Sequence, residues 1–173
     1  MFSHAEKVEL IRQYLVDSGR KVMVETGLYG GGGSGMNFAD TPLLDLYVIL
    51  DKDPVNCRIA KDNYPQAHVI CGDSAKTMPG LLARLKVPAF FWLDAHLVVD
   101  LDETEALDEW PCPLLGELAA IKAWPHAYQS TILIDDVRLL GSYGWPNRAD
   151  TLAACDGWQT VDEHDILRLT PHT

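Results

Sequence analysis

The chain reads as a Rossmann-like α/β domain: a doubly wound, mostly parallel sheet with helices on both faces and an antiparallel strand pair near the C-terminus. Three observations predict this. Short β-type runs alternate with helix-type runs along most of the 173 residues, the pattern of a parallel sheet covered on both sides. A glycine-rich segment directly follows the first strand run. Acidic residues end several strand runs, and that edge is where open α/β sheets bind ligands.

Residues 1–20 read as an amphipathic helix, with Val8, Leu10, Ile11, Tyr14 and Leu15 near helical spacing. Ser3 and Glu6 have the spacing of a capping box, and Gly19 stands where a C-terminal cap falls. Lys21–Glu25 is the first strand, followed by the glycine loop and a helix from about Ser34. Leu46–Leu50 is the second strand. Asp53–Tyr64 is helical and Pro65 stops it. Ala67–Cys71 is the third strand, with Ser74 capping a helix through about Lys86. Ala89–Leu93 is the fourth strand. Pro113–Trp124 is a helix flanked by Pro113 and Pro125, and Thr131–Ile134 is the fifth strand. A short helix at Arg148–Cys155 and strands at Trp158–Val161 and Ile166–Leu169 complete the chain.

The length fits one domain over residues 1–173. A charged N-terminal stretch without an apolar core region does not resemble a secretion signal, and no apolar run is long enough to span a bilayer. The four cysteines, Cys57, Cys71, Cys112 and Cys155, form no C-x-x-C pair, so neither a zinc knuckle nor a disulfide framework is expected. A reduced, cytoplasmic setting follows. The net charge of −11, unrelieved by a basic stripe, opposes a nucleic-acid partner. Trp110 and Trp145 leave two readings open, a homodimer surface or core.

The first strand runs into Glu25-Thr26-Gly27 and then Gly30, Gly31, Gly32, Gly33, Ser34 and Gly35. A strand, glycine loop and helix in that order let the backbone approach a ligand closely and aim N–H groups at it. Asp51 ends the second strand about 20 residues later, where a carboxylate accepts hydrogen bonds from ribose hydroxyls. Gly72-Asp73-Ser74 makes another polar turn at the same edge. No Gly-Lys-Ser/Thr follows the glycines, so a P-loop is not supported. Gly30, Gly32 and Gly35 satisfy G-x-G-x-x-G, which keeps a nicotinamide cofactor and an NAD(P)-dependent oxidoreductase open as an alternative.

A second group is Asp94, His96, Asp135 and Asp136. The fourth and fifth strands are neighbours in a doubly wound sheet, about 4.8 Å apart, so three carboxylates meet at the ligand edge. A hard divalent cation, magnesium or calcium, relieves such crowding. The competing reading has one carboxylate capping a helix or pairing with Arg138 while the others face water. His96 is either a base or a ligand, or else a structural histidine. The six acids from Asp100 to Glu109 form a solvated loop or a lid.

On these motifs the sequence resembles class I S-adenosylmethionine-dependent methyltransferases. VETGLYGGGGS is similar to their first motif, LYVILDKDP to the ribose-binding strand end, and GDS to the turn beside the adenine. FFWLDAH with TILIDD resembles metal-dependent O-methyltransferases of the macrocin-methylating type. The resemblance implies that Glu25, Gly27, Gly31, Gly33 and Asp51 hold the amino-acid and ribose parts of S-adenosylmethionine, with Asp73 and Ser74 by the adenine. It implies Asp94, Asp135 and Asp136 as ligands of Mg2+ or another hard cation. The expected reaction is O-methylation of a small or sugar-bearing hydroxyl acceptor, with Asp94 or His96 taking the proton. A non-enzymatic binding module on the same fold is the remaining alternative.

Overall fold

The computed structural model describes residues 4–28, 38, 41–95, 112–142 and 144–172. Ser3, Tyr29, the glycine run that includes Gly31 and Gly33, Ser34, His96, the acidic segment 100–109 and Trp110 lie outside the described residues.

The elements in chain order are α1 (His4–Ser18), β1 (Val22–Thr26), β2 (Leu46–Asp51), α2 (Pro54–Asn63), β3 (His68–Cys71), α3 (Ser74–Leu82), β4 (Phe90–Leu93), α4 (Leu114–Lys122), β5 (Thr131–Ile134), α5 (Arg148–Ala154), β6 (Gln159–Glu163) and β7 (Ile166–Thr170). Single 3-10 turns at Ala127–Gln129 and Val137–Leu139 flank β5. The strands form one seven-stranded sheet in the order β3-β2-β1-β4-β5-β7-β6. β1 to β5 pair in parallel, whereas β7 is antiparallel to both neighbours. The expected fold class is therefore observed, including the antiparallel C-terminal pair.

Several local expectations shift, each for a visible reason. The residue that caps α3 is Asp73 rather than Ser74: the Asp73 carboxylate accepts from the Ala75 N–H at 3.0 Å, and Ser74 is buried instead. α3 ends at Leu82, four residues short of the expected Lys86, with Pro79 inside it. Asp53 caps α2 by accepting from the Val55 N–H, and Pro54 opens the helix. Trp145 belongs to the core rather than to a surface.

Alternation along the strands divides the core in two. Met23, Tyr47, Ile49, Phe90, Trp92 and Leu133 face α1 and α2, where Ile11, Leu15 and Ala60 cover them. Val24, Leu50, Phe91, Leu93, Ile132 and Ile134 face α3 and α4 through Met78, Leu82, Leu118 and Ile121. α3 and α4 approach so closely that a Cβ on Gly116 would stand 2.7 Å from the Ala75 Cβ.

The parallel register brings Leu50, Thr26, Leu93 and Ile134 into line across the sheet. The next residues, Asp51, Gly27, Asp94 and Asp135, therefore form a row along the carboxyl edge. Ladder hydrogen bonds continue one step past the strands to hold it: Gly27 N–H to the Leu50 carbonyl (2.9 Å), Asp94 N–H to Thr26 (3.0 Å) and Asp135 N–H to Leu93 (3.0 Å). Gly27 has φ +86, and a Cβ there would lie 2.3 Å from the Asp94 carbonyl oxygen. Gly19 also has positive φ (+63), but its missing Cβ would meet nothing within 4 Å. We expect Gly27→Ala to lose about 2–4 kcal/mol in urea denaturation and Gly19→Ala about 1–2 kcal/mol; equal losses would show that the approach to β4 is not what requires glycine.

Candidate functional site

Row geometry turns strand ends into a cluster. Asp94, at the end of β4, and Asp135 and Asp136, at the end of β5, each offer a carboxylate oxygen, and these oxygens all lie within 4.8 Å of one another. The crowding is electrostatically expensive. Burial raises the Asp94 carboxyl well above the usual range, and the neighbouring Asp135, Asp136 and Glu25 carboxylates push it further. Asp135 is raised chiefly by burial and by Asp136. Asp136 occupies the left-handed region at φ 53, ψ 43, a conformation that aspartate tolerates better than most residues. Its N–H closes onto the Asp135 carboxylate at 2.8 Å.

Among the described residues, two cations reach this cluster. Arg138 pairs with Asp136 at 2.5 Å and also with Asp165, so the expected Arg138 pairing and the carboxylate convergence are both present. The second is Lys7 of α1, whose ammonium donates to Asp135 at 2.7 Å and to Asp136 at 3.5 Å. Lys7 was not among the expected site residues. Its signal was spacing: Lys7, Ile11 and Leu15 recur every four residues, so the lysine extends the stripe that faces the sheet. Its side chain is only 17% exposed.

Glu25 lies on the α1 face of the sheet, fully buried, and the Tyr47 hydroxyl donates to its Oε2. Burial raises the Tyr47 phenol well above its ordinary value, and the Glu25 charge adds to this. Asp51 spreads its two oxygens over the loop backbone, Oδ2 accepting from Leu28 N–H (2.6 Å) and Oδ1 from Asp53 N–H (2.7 Å). Burial raises its carboxyl, against the pull of these two N–H groups. The Asp51 carbonyl accepts from Gly72 N–H (2.8 Å) and from the Cys57 thiol (3.2 Å). These bonds bring the β1, β2 and β3 turns together at one edge. Glu25, Gly27, Asp51, Asp73 and Ser74 all stand at or beside it, where they could hold a nucleoside cofactor. All four cysteines are free thiols, as expected.

A second unforeseen residue lies below this edge. Glu117, in the first turn of α4, is fully buried and interacts with the Ser74 and Thr26 hydroxyls, while its Oε1 has no hydrogen-bond partner among the described residues. Its signal was a lone acid on the apolar Leu114–Ile121 face. An open cavity of about 600 Å³ adjoins the carboxylate cluster, walled by Lys7, Asp136, Arg138, Arg148, Asp162 and Asp165 among others.

Comparison of the whole fold with solved structures places it. The O-methyltransferase from Bacillus cereus in complex with S-adenosylhomocysteine superposes with a TM-score of 0.62 at 15% identity, over 95% of this chain and 80% of that one. Human methyltransferase-like protein 13, also bound to S-adenosylhomocysteine, gives 0.61 at 13% identity over 99% and 83%. A putative caffeoyl-CoA O-methyltransferase from Staphylococcus aureus gives 0.57 at 14% identity over 95% and 82%. This chain shares its fold with these methyltransferase structures. No protein-family model matches the sequence, and no curated protein matches it. No helix among the described residues is long and apolar enough to cross a membrane.

Burial raises the Glu117 carboxyl from 4.5 to about 7. Between those values the folded chain holds a proton that the unfolded chain has released. Its stabilising contribution is therefore complete below about pH 4.5 and is lost as the pH rises through 7. Glu117→Gln mimics the protonated form. Thermal melts are expected to show this variant close to wild type at pH 5 and several degrees more stable at pH 8.5; a gap that does not widen with pH would show that Glu117 ionises without penalty.

Proposed function

We propose that the chain is an S-adenosylmethionine-dependent methyltransferase that methylates a hydroxyl of a small, polar acceptor with the help of a divalent cation. The observation that carries this reading is the convergence of Asp94, Asp135 and Asp136 at the carboxyl edge, one strand from Gly27, in a fold shared with structures that hold S-adenosylhomocysteine. The reversed β7, inserted between β5 and β6, argues against the oxidoreductase alternative, because dinucleotide-binding sheets keep a sixth parallel strand beside the fifth.

In this reading Asp51 would meet the ribose hydroxyls, Glu25 and the glycine loop (Gly27, Gly31, Gly33) the amino-acid part, and Asp73 and Ser74 the adenine. The bonds from Leu28 and Asp53, with the Asn56 side chain, hold the Asp51 carboxylate at the strand end where a ribose hydroxyl would meet it. Asp94, Asp135 and Asp136 supply the hard oxygen donors that Mg2+ prefers, and their mutual repulsion is what a divalent charge relieves. When bound, such an ion lowers the pKa of an acceptor hydroxyl and fixes its orientation. Asp94 or His96 would take the hydroxyl proton as the acceptor oxygen attacks the methyl carbon, with S-adenosylhomocysteine leaving. The cavity beside the cluster is lined by charged side chains, which could meet the hydroxyls of a sugar-bearing acceptor.

Calorimetric titration with S-adenosylhomocysteine should show micromolar binding, about −8 kcal/mol, and Asp94→Ala should keep that affinity while losing methyl transfer by at least about 10²-fold. Absence of binding heat at several temperatures would overturn the cofactor assignment. Metal-stimulated transfer that survives Asp94→Ala would overturn the mechanism.

A further inference from the structure

The carboxylate cluster already holds a positive charge of the chain's own. Lys7 Nζ lies 2.7 Å from Asp135 Oδ1 and 3.5 Å from Asp136 Oδ1, with Asp94 close enough to add to the attraction. A magnesium ion bound to these oxygens would sit about 2.0–2.1 Å from them, and calcium about 2.3–2.6 Å. The Lys7 ammonium already bridges two of the three carboxylates, Asp135 and Asp136. A divalent ion drawn to Asp135 Oδ1 would meet the Lys7 ammonium on the same atom, and the like charges would repel at close range.

We infer that Lys7 is the resident counter-cation of the Asp94–Asp135–Asp136 cluster and competes with a divalent metal for it, so that a metal seats only when the lysine side chain swings away. The role rests on the metal-assisted reading above. It sets metal affinity from outside the ligand set, through the N-terminal helix. The geometry gives the lysine somewhere to go. Its four-carbon stem is flexible, and Lys7 itself lines the open cavity, whose wall also carries Asp162 and Asp165. α1 need not undock: Ile11 and Leu15 are buried against the sheet, and the Tyr14 hydroxyl donates to Glu163 at 2.5 Å. Only the side chain at the first turn moves.

The test uses the full chain, stripped of metal with a chelator, and Mn2+ as the probe. Lys7→Met keeps the apolar stem and removes the charge. Calorimetry should find Mn2+ binding at least tenfold tighter to Lys7→Met than to wild type. Equal affinity in the two proteins, or no binding to either, would overturn the inference. Should Lys7→Met fold poorly with three carboxylates uncompensated, the unaltered chain gives a second readout. Acetylation of Lys7 by acetic anhydride, followed by mass spectrometry, should rise severalfold when Mn2+ is saturating, and unchanged reactivity would sink the idea equally. Failure of the methyltransferase reading shows elsewhere, as absent S-adenosylhomocysteine binding.

Discussion

Everything at the carboxyl edge depends on how closely the end of β1 approaches the end of β4. Gly27 turns at φ +86 with the Asp94 carbonyl where its side chain would be, and the Asp94 N–H is held by Thr26. That contact sets the position of Asp94 relative to Glu25 and the start of the glycine loop. The β4–β5 ladder then carries the position on to Asp135 through the Asp135 N–H bond to Leu93. A methyl group is enough to disturb the whole row, because the interior strands behind it are fully buried and have no slack to absorb a shift.

The second constraint is charge. Glu25, Asp51, Asp94 and Asp135 sit within one sheet edge and Glu117 lies below it, all but Asp94 among the most buried side chains of the chain. Each is managed differently. Glu25 is met by a phenol, Asp51 by backbone N–H groups, Glu117 by hydroxyls and a raised pKa, and Asp135 by an ammonium. The edge therefore stores unfavourable electrostatics that a cationic ligand would relieve. S-adenosylmethionine, with its sulfonium, and a divalent metal are both such ligands.

Much of this was legible in the sequence because it is local. FFWL runs straight into Asp94 and TILI into Asp135, so placing the strands placed the acids. Asp51 could be positioned by the same reasoning, at the end of β2. What escaped depends on tertiary approach. Lys7 and Asp135 are 128 residues apart in sequence, and only the docking of α1 across the sheet joins them. Glu117 reads as an ordinary helix acid until the close packing at Gly116 presses α4 against α3. The exchange of Asp73 for Ser74 as cap is a one-residue matter, settled because Ser74 is drawn inward toward Glu117. The order β5-β7-β6 likewise has no local signal; hairpin residues alone do not say which arm joins the sheet.

That order has a consequence for how the protein comes into being. β5 finds its outer partner in β7, whose residues 166–170 are made only after α5 and β6 have followed it. α1 is tied to the same hairpin through Tyr14 and Glu163, 149 residues apart. A ribosome releasing this chain thus presents β5 with an open flank until the β6–β7 hairpin has emerged, and α1 waits for the same hairpin. Such long-range closure makes for slow folding. It also leaves the TILI segment in need of protection during translation, when its unpaired edge could join another nascent chain.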